Sequence, residues 1–239
     1  VDASTGEEKS VFVPKEVLDN QDGKSLANFE FKETGTLSYG VDAPWAADNT
    51  FKVVSSTSNG VTTTKYQATR MNIYGGLRMG GSALYGLNIS SPTSPSLLFQ
   101  ITPSTAGFSR MGQIWSKPTI ADIRVKGERK RVLIFGGGYD ASVYEKDATA
   151  FTEPTTATLG NAIYVVDASN GTLLWMASSD TTGIASHQNR ASSEMLYSVT
   201  GQPVVRDYDA DGLADMIYFG DLGGQIFRVD LNNATQGSK

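Results

Sequence analysis

Apolar and polar positions alternate along this chain in short runs, and the runs recur in a fixed order. Gly81-Ser-Ala-Leu-Tyr85-Gly-Leu-Asn88, Gly160-Asn-Ala-Ile-Tyr164-Val-Val-Asp167 and Gly223-Gly-Gln-Ile-Phe227-Arg-Val-Asp230 share one core: apolar, aromatic, any residue, apolar, then Asn or Asp. Before each lies an apolar run that ends in glycine: Ile73-Tyr-Gly-Gly76, Ile134-Phe-Gly-Gly137 and Tyr218-Phe-Gly-Asp221. Earlier still, a proline stands four residues before an aspartate: Pro44 and Asp48, Pro118 and Asp122, Pro203 and Asp207. Runs of β-branched and aromatic residues bounded by Gly, Asn, Asp and Pro predict strands, and no capped helical periodicity stands out. Each unit therefore reads as four short strands joined by turns, the last visible as Gly171-Thr-Leu-Leu-Trp175-Met176. Internal repetition of such units predicts an all-β fold, a β-propeller, with aromatics packed between neighbouring blades.

Boundaries follow from the repeats. Residues 1–43 read as the end of a preceding blade and a linker, 44–117 and 118–202 as two blades, and 203–239 as an incomplete third. Val1-Asp-Ala-Ser-Thr-Gly6 matches Val166-Asp-Ala-Ser-Asn-Gly171, so the chain is expected to begin inside a blade. Closed propellers have roughly 4–8 blades, so about three blades predict a fragment of a larger ring with open edges. A bare blade needs about 40–50 residues, and the repeats here are longer. The polar, Thr/Ser-rich stretches Asn49–Arg70 and Ala141–Leu159 supply the surplus and read as loops, solvated or in contact with a partner.

One motif carries chemistry. Asp207-Tyr-Asp209-Ala-Asp211-Gly-Leu213-Ala-Asp215 sets carboxylates at positions 1, 3, 5 and 9. Glycine at position 6 permits the sharp turn, and the Leu213 carbonyl at position 7 is a further oxygen ligand. Hard cations take such oxygen sets, and a flexible, oxygen-rich loop favours Ca²⁺ over Mg²⁺. Position 12, where an EF-hand has glutamate, is Tyr218 inside an apolar run, so the loop is a shortened form joining two strands. The blander alternative is an Asp/Gly-rich turn. Asp122 holds the place of Asp207 one blade earlier, but Arg124-Val-Lys-Gly-Glu-Arg-Lys-Arg131 follows it and reads as a solvated basic turn. Asp19-Asn-Gln-Asp22-Gly23 lacks the alternation and is discounted.

Composition narrows the remainder. The 239 residues carry a net charge of −5 and 10% aromatics, which suits a core and disfavours disorder and nucleic acid. There is no cysteine, hence no disulfide, Cys-ligated zinc or thiol nucleophile. No apolar run is long enough to span a bilayer. The sequence starts at Val1 without a signal peptide, so a targeting segment is expected upstream or removed. Gly136-Gly-Gly-Tyr-Asp-Ala141 fits a dinucleotide pattern only if a helix follows, and the threonines and Pro154 beyond it make a poor one. His187, the single histidine, lies in a polar loop. Nothing here argues for an enzyme, and no catalytic residue or organic cofactor site is assigned.

The joint order of these motifs resembles the C-terminal propeller domain of the PilY/PilC proteins, adhesins and assembly factors at the tip of type IV pili. Val1-Asp-Ala-Ser-Thr-Gly-Glu with Val11-Phe-Val-Pro14 is similar to that family's opening stretch. Tyr39-Gly-Val-Asp-Ala-Pro44, Gly75-Gly-Leu-Arg-Met-Gly-Gly81, Trp115-Ser-Lys-Pro118 and Phe135-Gly-Gly-Gly-Tyr-Asp140 resemble its blade signatures. Asp207–Asp215 followed by Tyr218-Phe-Gly-Asp-Leu-Gly-Gly-Gln-Ile-Phe-Arg-Val-Asp-Leu231 resembles its calcium loop and following strands, with Phe227 where tryptophan is common. The resemblance implies a seven-bladed modified propeller, exported to the pilus tip, outer membrane surface or periplasm of a Gram-negative bacterium. It also implies roles in pilus extension against retraction, twitching motility, attachment and virulence, with minor pilins and host or abiotic surfaces as partners. The calcium role falls on Asp207, Asp209, Asp211, Leu213 and Asp215. Two other readings stay open: a quinoprotein-like dehydrogenase propeller, and a scaffold whose calcium is purely structural.

Overall fold

Residues 132–135 and 163–166 are apolar at every position, and both faces of the strands they form are buried. These are β6 (Glu128–Gly136) and β7 (Ala162–Asp167), the middle of a sheet in the order β5-β6-β7-β8-β9. Its other members are β5 (Thr119–Val125), β8 (Leu173–Ser178) and β9 (Asn189–Ala191), the last added parallel to β8. Side chains alternate across a strand, so the two faces look to different neighbours. Leu133, Phe135, Tyr164 and Val166 pack with Tyr74, Leu84 and Phe99 of the first sheet. Val132, Ile134, Ile163 and Val165 pack with Val199, Ile217 and Phe219 on the side of the third.

The structure is a computed structural model and describes residues 1–19, 39–145 and 156–231. The first sheet is the meander β1 (Trp45–Ser58), β2 (Val61–Gly76), β3 (Leu84–Asn88) and β4 (Ser96–Ile101). The third is β10 (Val204–Arg206), β11 (Met216–Gly220) and β12 (Ile226–Asp230). The protein is thus all-β in several sheets. Among the described residues the α-helices are α1 (Lys15–Asp19) and α2 (Ala141–Tyr144), too brief to show a helical period. Positions 20–38, 146–155 and 232–239 lie outside the described residues. Asp22 and Gly23 of the discounted turn, Pro154, and most of the Ala141–Leu159 stretch fall there.

The repeats superpose in register. Leu84, Ile163 and Ile226 face Gly76, Gly136 and Gly220, and Tyr85, Tyr164 and Phe227 face Gly75, Phe135 and Phe219. In the first sheet the equivalent glycine is therefore Gly76, one residue later than the sequence pattern suggests. Gly75, which the pattern aligns with Gly136, stands opposite the aromatic Tyr85 instead. A bulge falls after Gly86 in the first sheet and after Val165 in the second, at the same repeat position. The incoming link to the next sheet crosses Gly76 and Gly136: Arg78 N–H donates to Ile114 O at 3.0 Å and Gly138 N–H to Val199 O at 3.1 Å. A Cβ on Gly136 would sit 2.2 Å from Val199 O, so that crossing requires glycine.

Residues 1–19 cover the far face of the first sheet. Phe12 packs edge-on to Tyr85 at 5.3 Å and to Trp45 at 6.3 Å. Glu16 accepts hydrogen bonds from the Tyr85 hydroxyl and from Gln100 Nε2. The turn at Asp2 repeats the one at Asp167: each Oδ1 accepts from a serine two residues on, and Gly6 and Gly171 have φ of 72° and 73°.

The expectation of a loop over Asn49–Arg70 is corrected. These residues prolong β1 and β2 into a hairpin arm, paired from Thr50↔Arg70 to Ser58↔Val61 with one bulge after Thr50. Alternation was hard to see there because both faces are exposed, which removes the apolar period that marks a half-buried strand.

Candidate metal centre

Between β10 and β11 the chain must turn within nine residues, 207–215, and two backbone positions take left-handed angles to do so: Ala210 (φ 60°) and Gly212 (φ 83°). The base of the loop is pinned. Asp215 N–H donates to Arg206 O (2.8 Å), Leu231 N–H to Asp215 O (2.7 Å), and Ala214 N–H to Asp122 O on the neighbouring sheet (2.7 Å). Leu213 anchors the loop with a buried side chain. Carboxylates fold back over the turn: Gly212 N–H donates to Asp207 Oδ2 (2.8 Å), Tyr208 N–H to Asp215 Oδ2 (2.6 Å) and Leu213 N–H to Asp211 Oδ1 (2.7 Å).

Asp207, Asp209 and Asp215 each bring an oxygen within 4.8 Å of the others. Asp211 stands outside that trio, its Oδ1 engaged by the Leu213 N–H. Three anions this close repel by about 1 kcal/mol per pair in water and about 3–4 kcal/mol per pair at an effective dielectric of 20. Among the described residues no lysine or arginine pairs with Asp207 or Asp209. Asp207 Oδ1 is shut off from solvent and meets no hydrogen-bond donor among the described residues. A shielded carboxylate oxygen without a donor, beside two more carboxylates, fits a hard divalent cation. Asp207, Asp209 and Asp215 would hold it, and it would supply the positive charge that the loop itself lacks.

Asp207 has two counterparts, and the structure shows how each is satisfied. Asp48 on β1, almost fully buried, lies between Arg70 Nε (3.0 Å) and Arg131 Nη2 (2.8 Å). Asp122 on β5 takes Arg129 Nη2 (2.8 Å) and Arg131 Nη1 (3.3 Å). Burial alone would lower the Arg131 pKa, but Asp48 and Asp122 outweigh it and raise it. The same repeat position thus meets guanidinium twice and a carboxylate cluster once. Arg129 Nη2 also donates to Gly212 O at 3.1 Å, so it reaches the acidic loop from the sheet before. The solvated basic turn expected over 124–131 is corrected accordingly: Arg129 and Arg131 hold sheets together. Three aspartates at one repeat position were the available signal, and the arginine partners, on other strands, were not legible.

The glycine run 136–138 serves the crossing at Val199. The helix after it, α2, has four residues, and Asp140 already caps it by accepting from Ser142 N–H (3.1 Å). An anion at that cap opposes a pyrophosphate, so the dinucleotide pattern has no site. His187 is exposed on a short 3-10 turn, Ser186–Gln188.

No family model matches the chain. The type IV pilus biogenesis factor PilY1 of Pseudomonas aeruginosa strain UCBPP-PA14 is 29% identical over 165 residues, 69% of this chain and 12% of that protein. A PilY1 homolog of Xylella fastidiosa is 25% identical over 166 residues, 68% of this chain and 10% of its own length. The crystal structure of the P. aeruginosa PilY1 C-terminal domain aligns over 95% of this chain and 35% of that one, with a TM-score of 0.53 at 21% identity. The chain resembles the C-terminal domain of the PilY/PilC proteins. Structural likeness to PilY1 carries the fold, and the sequence likeness covers about a tenth of the PilY1 proteins. A europium-containing methanol dehydrogenase aligns at a TM-score of 0.32, which supports no statement about function. No helix among the described residues is long and apolar enough to cross a membrane.

Proposed function

We propose that this chain is the calcium-binding part of a non-enzymatic propeller in an exported, type IV pilus-associated factor, acting in pilus assembly and attachment. The likeness to pilus biogenesis factors supports the pilus reading. The observation that carries calcium is Asp207 Oδ1, shielded and without a donor among the described residues, on a carboxylate grouped with those of Asp209 and Asp215. The cation would neutralise Asp207, Asp209 and Asp215, with Asp211 and the Leu213 carbonyl as further oxygens of the loop. Because the loop is tied to Asp122 O and to Arg129, its ordering would stiffen the junction of the second and third sheets. That junction is where occupancy would bias contacts with minor pilins or a surface, and so extension against retraction and twitching.

Calorimetric titration with Ca²⁺ of this chain and of an Asp207→Asn, Asp209→Asn variant tests the site. One-site binding lost in the variant is expected, with Kd between about micromolar and millimolar. The same substitutions in the whole protein, in a piliated bacterium, should reduce surface pili and twitching. Lost binding with normal piliation would leave the calcium structural only; no binding by folded wild type removes the calcium reading.

A further inference from the structure

Beyond Arg70 at its base, which holds Asp48, the arm formed by residues 49–70 contributes no side chain to the buried clusters between the sheets. It is nonetheless built to keep its shape. Asn59 and Gly60 both take left-handed angles (φ 51° and 74°), the pattern of a two-residue hairpin turn whose twist suits the flanking strands. Hydroxyl pairs lock the register: Ser55 with Thr64 at 3.3 Å, Ser56 with Thr63 at 3.0 Å and Thr57 with Thr62 at 3.0 Å. A preorganised ribbon loses little conformational entropy when a partner binds.

Its surface is two-sided. Phe51, Val53 and Tyr66 share one face, with Val53 directly opposite Tyr66, and are 54%, 60% and 79% exposed. Lys52 and Lys65 share the other and make no ion pair among the described residues. No acidic residue occurs between 49 and 70, on a chain of net charge −5. Among the described residues both backbone edges are open as well. β1 is the edge of its sheet, and β3 pairs with β2 only from Asn72 onward. Unpaired N–H and C=O groups along a strand are a template for another strand.

We propose that the arm is a docking ribbon that receives an extended, acidic–apolar segment of a partner protein as an added strand. Alternating side chains of that segment would lay apolar groups beside Phe51, Val53 and Tyr66, and carboxylates beside Lys52 and Lys65. A bilayer fits less well, because it offers no partners for the open backbone edges. Arm-to-arm pairing of two copies brings like charges together, and two lysines are too few to hold a nucleic acid on an acidic chain.

Fluorescence anisotropy on the full chain with a labelled ten-residue peptide alternating glutamate and valine tests this. Binding at least tenfold tighter than for the matching lysine–valine peptide is expected, weakening with salt. Lys52→Glu with Lys65→Glu should reverse that preference, Tyr66→Ser should weaken binding several-fold, and N-methylation of alternate peptide amides should abolish it. All three substituted side chains are exposed, and circular dichroism would check that the variants fold. Equal binding of both peptides, indifference to charge reversal, or no binding at millimolar peptide overturns the proposal. So does arm-dependent dimerisation in sedimentation, or preferential binding to anionic phosphatidylserine vesicles.

Discussion

Arg131 Nη2 donates to Asp48 Oδ1 at 2.8 Å across the boundary between the first and second sheets. Its other terminal nitrogen binds Asp122 within its own sheet, at 3.3 Å. One guanidinium thus bridges the same repeat position in two consecutive blades, and its planar fork allows what a lysine ammonium could not. Asp48→Ala should destabilise the chain by about 1–3 kcal/mol, since it strips a charged partner from both Arg70 and Arg131 while these remain partly solvated. A double-mutant cycle with Arg131→Ala, read by urea denaturation, should return a coupling of about 1 kcal/mol. Additivity would mean that the bridge contributes nothing.

Asp209 and Asp211 occupy alternating positions of the acidic loop, yet only Asp209 stands in the carboxylate trio. Asp211→Asn keeps an oxygen for the Leu213 N–H, whereas Asp209→Asn removes a clustered charge. Calcium affinity should therefore fall at least tenfold in Asp209→Asn and several-fold less in Asp211→Asn. Equal losses by calorimetry would show that Asp211 swings in as a ligand.

Gly136 and Gly220 end equivalent strands but face different surroundings. A Cβ at Gly136 meets Val199 O at 2.2 Å, while at Gly220 the nearest atom, Gln225 O, is 3.4 Å away. Gly136→Ala should cost about 3 kcal/mol or more, because backbone rather than a yielding side chain is in the way. Gly220→Ala should stay within about 0.5 kcal/mol of wild type. Thermal melts of the two variants make the comparison, and similar melting points would contradict the crossing.

Asp140 gives acid sensitivity a defined origin. Burial alone pushes its carboxyl up, but hydrogen bonds from the Ser142 hydroxyl and from Leu159 and Thr158 outweigh this and hold it below its ordinary value. A depressed folded pKa contributes stability that is present above the unfolded value of about 3.9 and is lost as pH falls through the folded one. Asp167, lowered against burial by Ser169 and Lys130, adds in the same direction. Stability should hold near neutrality and decline below about pH 4. Asp140→Asn should lower the melting temperature at pH 7 and flatten that acid decline. An unchanged slope would assign the acid sensitivity elsewhere.

The blades were legible because a strand buried on one or both faces writes its burial into the sequence, as Ile163-Tyr-Val-Val166 does. The acidic loop was legible because its carboxylates are contiguous in sequence and alternate in register. Two features were not. The arm has no buried face, so Phe51, Val53 and Tyr66 are scattered among serines and threonines with no period to read. The partners of Asp48 and Asp122 sit on other strands, and only the cross-strand register that sets Asp122 opposite Arg131 brings them together. Asp211 shows the converse limit: its position in the motif is that of a ligand, and its carboxylate stands outside the trio that the loop brings together.

The connection between first and second strands takes three forms in three successive sheets: a long ribbon after Asp48, a two-residue turn at Lys126-Gly127 after Asp122, and an acidic loop after Asp207. The register of the second strand on the third is held in common by all three sheets, and the first two also share a bulge. The connection is therefore an interchangeable cassette. Transplanting residues 208–214 in place of the short turn, with Arg129 alone neutralised so that Arg131 keeps its bridge to Asp48, would be expected to set a second acidic loop one blade earlier without disturbing the packed strands.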